Sequence, residues 1–341
     1  MGHKYNVPAM WTEQMGHVVA KQDELAAGAY VTGQSLDDMR AAYRKERAFW
    51  NEGGPEVFSS EDVMVPTRYG QVRVRHYRPS GEGQRPLIVY VHGGGWVIGD
   101  VDTHDRITRT LCHLTGAAVV SVDYTLAPEA RFPRQIHECR DVVAHIRENA
   151  VQWGIDPEDV SFAGDSAGAN MSMATMLMMR DEGSLTSVRA MLLYYGVYGL
   201  KDSLSMRLLG GAWDGLTEAD YQYYLDQYFA DPADVSDCYF NILGSDFSQG
   251  IPPCYVVSAG LDPLRDDSRT LADILSAARI EAVDVVGLAE SHCVKDTALD
   301  AVRQGYRVRV LTDLTEPVSP ELGRIARADM SAAGIELAPS H

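Results

Sequence analysis

A serine lies between two glycines in Gly164-Asp165-Ser166-Ala167-Gly168. Val160-Ser161-Phe162-Ala163, just before it, is short and β-prone; Ala167 to Met179, just after it, is rich in Ala, Met and Leu and predicts a helix. A serine on such a strand-to-helix bend has the nucleophile-elbow pattern. The bend is so tight that the residues two before and two after must be nearly free of side chain. The hydroxyl is held above the sheet edge, and the positive end of the following helix favours developing negative charge.

Three further stretches follow predicted strands, where sites of open α/β sheets lie. His92-Gly93-Gly94-Gly95 can bring backbone N–H groups of Gly93, Gly94 and Gly95 to one spot, as an oxyanion hole needs, or it is a plain glycine-rich turn. Asp262 follows Cys254 to Ala259, and His292 follows Val283 to Leu288. The chain order Ser, Asp, His is that of α/β hydrolases. In that reading Ser166 attacks a carbonyl carbon, His292 removes and later returns the proton, and Asp262 orients the imidazole. Taken singly, Asp262 reads as a turn or N-cap aspartate, and His292 as a surface histidine or a partner of Cys293.

These residues need a sheet to carry them. Val63 to Arg78 alternates around Tyr69-Gly70 and predicts a hairpin. Leu87 to Val91 is a continuous apolar run, the mark of a strand buried on both faces. Strands at Ala117 to Val122, Ala190 to Tyr195 and Cys254 to Ala259 alternate with helices near Thr103 to Leu114 and Ile136 to Asn149. This rhythm predicts a mostly parallel sheet with helices on both faces. Residues 200 to 250 break it with aromatic residues among acidic ones, and read as an insertion on top of the sheet. In residues 1 to 60, Ser35 and Asp38 form a capping box ahead of an apolar stripe. The stripe predicts a packed helix, with a lid over a pocket as the functional alternative. There is no internal repeat.

The 341 residues carry a formal charge of −18. Such a chain is repelled by nucleic acid and anionic membrane, so neither is an expected partner. No stretch reaches the ~18 apolar residues of a membrane span, and Met1 to Met10 shows no secretory pattern. The five cysteines, scattered and without C-x-x-C, read as reduced thiols of a cytoplasmic protein.

His92-Gly93-Gly94-Gly95-Trp96, Asp123-Tyr124-Thr125-Leu126-Ala127-Pro128-Glu129, Gly164 to Gly168 and Asp262-Pro263-Leu264 together resemble the bacterial hormone-sensitive-lipase-like esterases. Phe49-Trp50-Asn51, Asp102 to Arg106 and Leu208 to Thr217 are similar to the acetyl esterases of that family. The resemblance spans about residues 35 to 278. It implies an α/β-hydrolase fold with a helical cap made of residues 1–60 and an insertion at about 200–235. It implies a carboxylesterase for short acyl chains, with no metal or organic cofactor and a small-molecule ester as partner; a homodimer stays open. It makes Ser166 the nucleophile, Asp262 the triad acid, and Gly94, Gly95 and Ala167 oxyanion-hole donors.

From about residue 280 the pattern changes. Val283 to Ala289, His292-Cys293-Val294-Lys295, Thr297 to Ala301 and Val310 to Thr315 resemble the C-terminal part of nicotinamidases, in which a cysteine at the position of Cys293 is an amidase nucleophile. His292 nevertheless falls where a hydrolase needs its histidine, 30 residues after Asp262. Three functions follow from this junction. One is a serine esterase on the domain 61–341. Another is an esterase-like binding protein impaired by its atypical tail, 280–341. The third is a cysteine amidase using Cys293.

Overall fold

Ser35 opens a helix as expected. In the computed structural model, which describes residues 4–25, 31–81, 83–184, 188–213, 216–278, 282–303 and 305–340, the chain begins with a 3-10 turn, Val7–Met10, then α1 (Glu13–Leu25) and α2 (Leu36–Asn51). Asp214 and Gly215 of the Leu208 to Thr217 motif lie outside the described residues. The Ser35 hydroxyl accepts the Asp38 N–H at 3.2 Å, satisfying a donor that a helix start leaves orphaned. Met39 and Tyr43, on the stripe, are buried. Arg40 on the same helix donates to the carbonyls of Val97 and Ala127, both at 2.9 Å, and forks onto Glu129. Asn51 donates to Thr103 O and accepts the Arg106 N–H, each at 2.9 Å. The stretches Asp102 to Arg106 and Asp123 to Glu129 are thus points at which α2 is fastened to the loops of the sheet.

The hairpin forms as β1 (Ser59–Thr67) and β2 (Gly70–Arg78), with Thr67 opposite Gly70. It is followed by β3 (Arg85–Val91), α3 (Asp105–Thr115), β4 (Ala118–Asp123), α4 (Arg134–Glu148), the short α5 (Ala150–Trp153), β5 (Ile155–Asp165), α6 (Ala167–Asp181) and β6 (Met191–Tyr194). The insertion carries α7 (Leu204–Leu209) and α8 (Glu218–Tyr228), and β7 (Cys254–Val257) and α9 (Arg265–Ala278) come after it. The seven strands run in the order β1-β2-β4-β3-β5-β6-β7, antiparallel at β1/β2 and β2/β4 and parallel elsewhere. Parallel neighbours require crossovers, and crossover helices cover both faces. Leu87 to Val91 at the centre is accordingly buried throughout. Ile88 and Tyr90 pack with Cys112 of α3, while α6 packs over β3, β5 and β6.

The chain divides into two compact units, Met1–Ile274 and Leu275–His341. The second contains β8 (Ala282–Leu288), a π-helical turn Glu290–Val294, α10 (Lys295–Arg303), β9 (Arg307–Glu316), α11 (Pro320–Ala332) and β10 (Glu336–Ala338). Its three strands form their own parallel sheet, β10-β9-β8. Val285, Val294, Ala298, Val308, Val310, Ala326, Met330 and Ile335 make a separate core. In the sequence the run of strands closes on Val283 to Leu288, and residues 306 to 338 read as extending the sheet or hanging loose. Instead β8, α10 and β9 close a local parallel unit, because each strand finds its ladder partner within the tail. Among the described residues, no helix is long and apolar enough to cross a membrane.

Candidate active site

From Val160 to Met179 every residue is buried except Ser166. It sits between β5 and α6 with φ 52° and ψ −121°. A non-glycine residue in such a conformation costs on the order of 1–3 kcal/mol and persists only where its surroundings hold it. Here the Ser166 N–H donates to Tyr194 O on β6 at 2.8 Å, and its carbonyl accepts the Ala169 N–H at 3.1 Å.

The flanking glycines are steric necessities. A Cβ on Gly164 would lie 2.5 Å from Gly168 O, and one on Gly168 would lie 2.0 Å from Val91 O. Both obstacles are backbone and cannot swing away. Gly168→Ala is therefore expected to destabilise the protein by about 3 kcal/mol or more, read as a lowered urea midpoint; an unchanged midpoint would show that the bend tolerates a methyl.

Asp165 precedes the serine and is tied to the glycine loop and β3. Its buried carboxylate accepts the Tyr90 hydroxyl at 2.7 Å and the Gly93 N–H at 3.0 Å, with His104 Nε2 at 3.7 Å. Burial alone would raise its pKa, but the His104 charge and the hydrogen bonds from His104 and Tyr90 outweigh it, and the carboxyl lies well below the usual range. His92 is wholly buried, stacked on Tyr124 at 4.3 Å and on His104 at 5.3 Å. Burial, with His104 acting the same way, pushes its pKa down to about 4, so the imidazole is neutral at pH 7.

Gly93, expected among the oxyanion donors, thus has its N–H committed to Asp165. Gly94, at φ 114°, turns the chain outward, and Gly94 and Gly95 are half-exposed where Gly93 is buried. Gly94, Gly95 and Ala167 line a cavity of about 600 Å³ together with Ser166 and Asp262, within the size range of small-molecule sites. Asp262 is half-buried in the turn after β7, where Oδ1 accepts the Leu264 N–H at 2.7 Å.

The helical segments roof the cavity. Val7, Trp11, Met15 and Val19 line it from the N-terminal segment, and Trp213, Leu216, Tyr221 and Tyr224 from the insertion. Two other insertion aromatics, Tyr228 and Phe229, pack with Trp96, Phe132 and Phe240. Among the described residues, no histidine of the first unit lines the cavity.

His292 belongs to the second unit, exposed in the Glu290–Val294 turn, with Nδ1 hydrogen-bonded to the Ser291 hydroxyl at 3.0 Å. Glu290, fully buried, anchors that turn: Arg327 of α11 donates to it at 2.7 and 2.9 Å and Thr315 of β9 at 2.7 Å. Burial opposes ionisation of Glu290, but the Arg327 and Thr315 hydrogen bonds outweigh it and lower its pKa. Cys293 is exposed in the same turn, and Lys295 beside it is paired with Asp329 at 3.7 Å.

Sequence reasoning missed Asp165, Tyr90, His104 and Glu290. Asp165 lies inside the elbow motif, but spacing does not tell which way it points.

Residues 88–294 match the alpha/beta hydrolase fold family, and residues 267–340 match the isochorismatase domain. Among solved structures, a hyperthermophilic esterase from the archaeon Pyrobaculum calidifontis is 28% identical, with 93% of this chain and 98% of that one covered and a TM-score of 0.72. An alpha/beta hydrolase enzyme from the metagenome of Lake Arreo, Spain, is 30% identical over 80% of this chain and 86% of its own, with a TM-score of 0.72. A thermophilic, thermostable carboxylesterase cloned from a metagenomic library is 25% identical over 88% and 98%, with a TM-score of 0.67.

Proposed function

The chain belongs to the alpha/beta hydrolase fold family and is a carboxylic ester hydrolase, and we propose that it cleaves short-chain acyl esters through an acyl-enzyme formed on Ser166. What carries this reading is the hydroxyl of Ser166, the one half-buried residue of a buried stretch, strained at the start of α6 and sharing one cavity with Gly94, Gly95, Ala167 and Asp262.

In this reading Ser166 Oγ attacks the ester carbonyl while its proton passes to His292. The tetrahedral oxyanion accepts the N–H groups of Gly94, Gly95 and Ala167. Collapse expels the alcohol, which takes the proton from His292, and a water then cleaves the acyl-enzyme by the same steps in reverse order. In the triad order of the chain, Asp262 is the acid that orients the imidazole and stabilises the imidazolium. Asp165 acts on geometry: by holding Gly93 it fixes the glycine loop relative to the nucleophile. The short-chain preference rests on the roof, whose Trp213, Tyr221 and Tyr224 are bulky aromatic walls.

A series of aryl acetate, butyrate and octanoate tests the reading. kcat/KM is expected to peak at acetate or butyrate and to fall about tenfold by octanoate; a maximum at octanoate would reverse the chain-length assignment, and no hydrolysis at all would overturn the reading. A second reading, a cavity that binds esters but turns them over slowly, draws on the absence of a histidine among the first unit's described cavity residues.

A further inference from the structure

The cavity that holds Ser166 is walled almost wholly by apolar, aromatic and glycine residues, yet one lining residue, Arg47 of α2, carries a positive charge. It stands out in a chain of formal charge −18. Its guanidinium lies 5.0 Å from the centre of the buried Tyr43 ring, itself a wall of the cavity. Its Nε lies 3.4 Å from the Glu46 carboxylate, which is fully buried and accepts the Trp50 indole N–H. Two neighbours on its own helix thus hold the head group in place, so little side-chain freedom is lost when a ligand meets it. Its charge is felt at the floor: it works to lower the pKa of Asp165, next to the nucleophile, and opposes the upward push that Asp165 and burial exert on the Tyr195 phenol.

A cation on an apolar wall partly shielded from water acts on an anion more strongly than one in bulk solvent. Its planar fork matches a carboxylate. The other ionised groups of the wall, Asp165 and Asp262, are negative, and Asp165 is already answered by Tyr90, Gly93 and His104.

We propose that Arg47 selects esters that carry a second, anionic group, a carboxylate on the acyl or the alcohol side that pairs with its guanidinium while Ser166 attacks the ester carbonyl. The inference rests on the carboxylesterase reading for its chemistry, and it names the substrate class of that same cavity.

Two matched pairs test it. With charge on the alcohol side, 4-acetoxybenzoate is compared with 4-methylphenyl acetate; with charge on the acyl side, monophenyl adipate is compared with phenyl hexanoate. The quantity read is the ratio of kcat/KM, anionic over neutral, in wild type, Arg47→Gln and Arg47→Lys. Because both esters report on the same enzyme sample, the ratio does not depend on how much of a variant is folded. In Arg47→Gln it is expected to fall about ten- to a hundredfold for one pair, the range of a hydrogen bond to a charged group. Arg47→Lys should keep part of it, and the responding pair identifies the side that bears the carboxylate. A ratio unmoved in both pairs overturns the proposal.

Binding separates the two readings. Trp11, Trp96 and Trp213 line the cavity, so their fluorescence reports 4-phenylbutyrate against 4-phenylbutan-1-ol without turnover. If no ester is cleaved but phenylbutyrate binding weakens tenfold in Arg47→Gln, the esterase reading fails and the anion site stands. If esters are cleaved and neither ratio nor binding responds to Arg47, the anion site fails and the esterase reading stands.

Discussion

Ser166→Ala is expected to lower kcat on a short aryl ester by about ten-thousandfold or more, the scale of losing a triad nucleophile. The fold should survive. Alanine keeps the Cβ, so the strain at φ 52° is unchanged, and the backbone bonds to Tyr194 and Ala169 involve no side-chain atom. The measurement is nitrophenolate release at saturating ester beside the thermal midpoint, with titration by an aryl phosphonate to count reactive hydroxyls. The variant should take up no phosphonate. Activity above about one per cent of wild type, with a full phosphonate titre, would place the nucleophile elsewhere.

His292→Ala is expected to cost about a thousandfold or more in kcat, since an unassisted serine hydroxyl is a weak nucleophile. His292 projects from a turn whose anchor is Glu290, held by Arg327 and Thr315. Removing the imidazole leaves that anchor and the tail's own core untouched, so the thermal midpoint should stay within about 1 °C of wild type, as for an exposed side chain. A variant that keeps its rate would show that another base serves Ser166. A rate that is already slow in wild type and indifferent to His292 would favour the binding reading.

Much of this architecture was legible in local pattern. The alternation around Tyr69-Gly70, the unbroken Leu87 to Val91 run and the Ser35 N-cap each depend on neighbours a few residues away, and each formed as read. The elbow was legible for the same reason. Its glycines answer to Val91 O and to each other, and a motif that tight admits few backbone solutions. The donors of the glycine loop were not legible. Gly93, Gly94 and Gly95 are identical as letters, and only the distant Asp165 distinguishes the first from the other two.

The insertion aromatics show the same limit. Trp213 and Tyr221 face the cavity while Tyr228 and Phe229 stack with Trp96 and Phe132, a division set by partners roughly a hundred residues away.

By itself the sequence determined the elbow, the run of strands and helices that presents it, and the place near residue 280 where one pattern gives way to another, because these follow from short-range sterics and hydrophobic periodicity. Only the tertiary structure decided that Asp165 is buried against the glycine loop, that Arg47 enters the cavity, and that β8 pairs with β9 in a sheet of the tail's own. Each of these depends on which distant groups a side chain or strand edge meets once the chain has closed, and residue spacing along the chain carries no record of that.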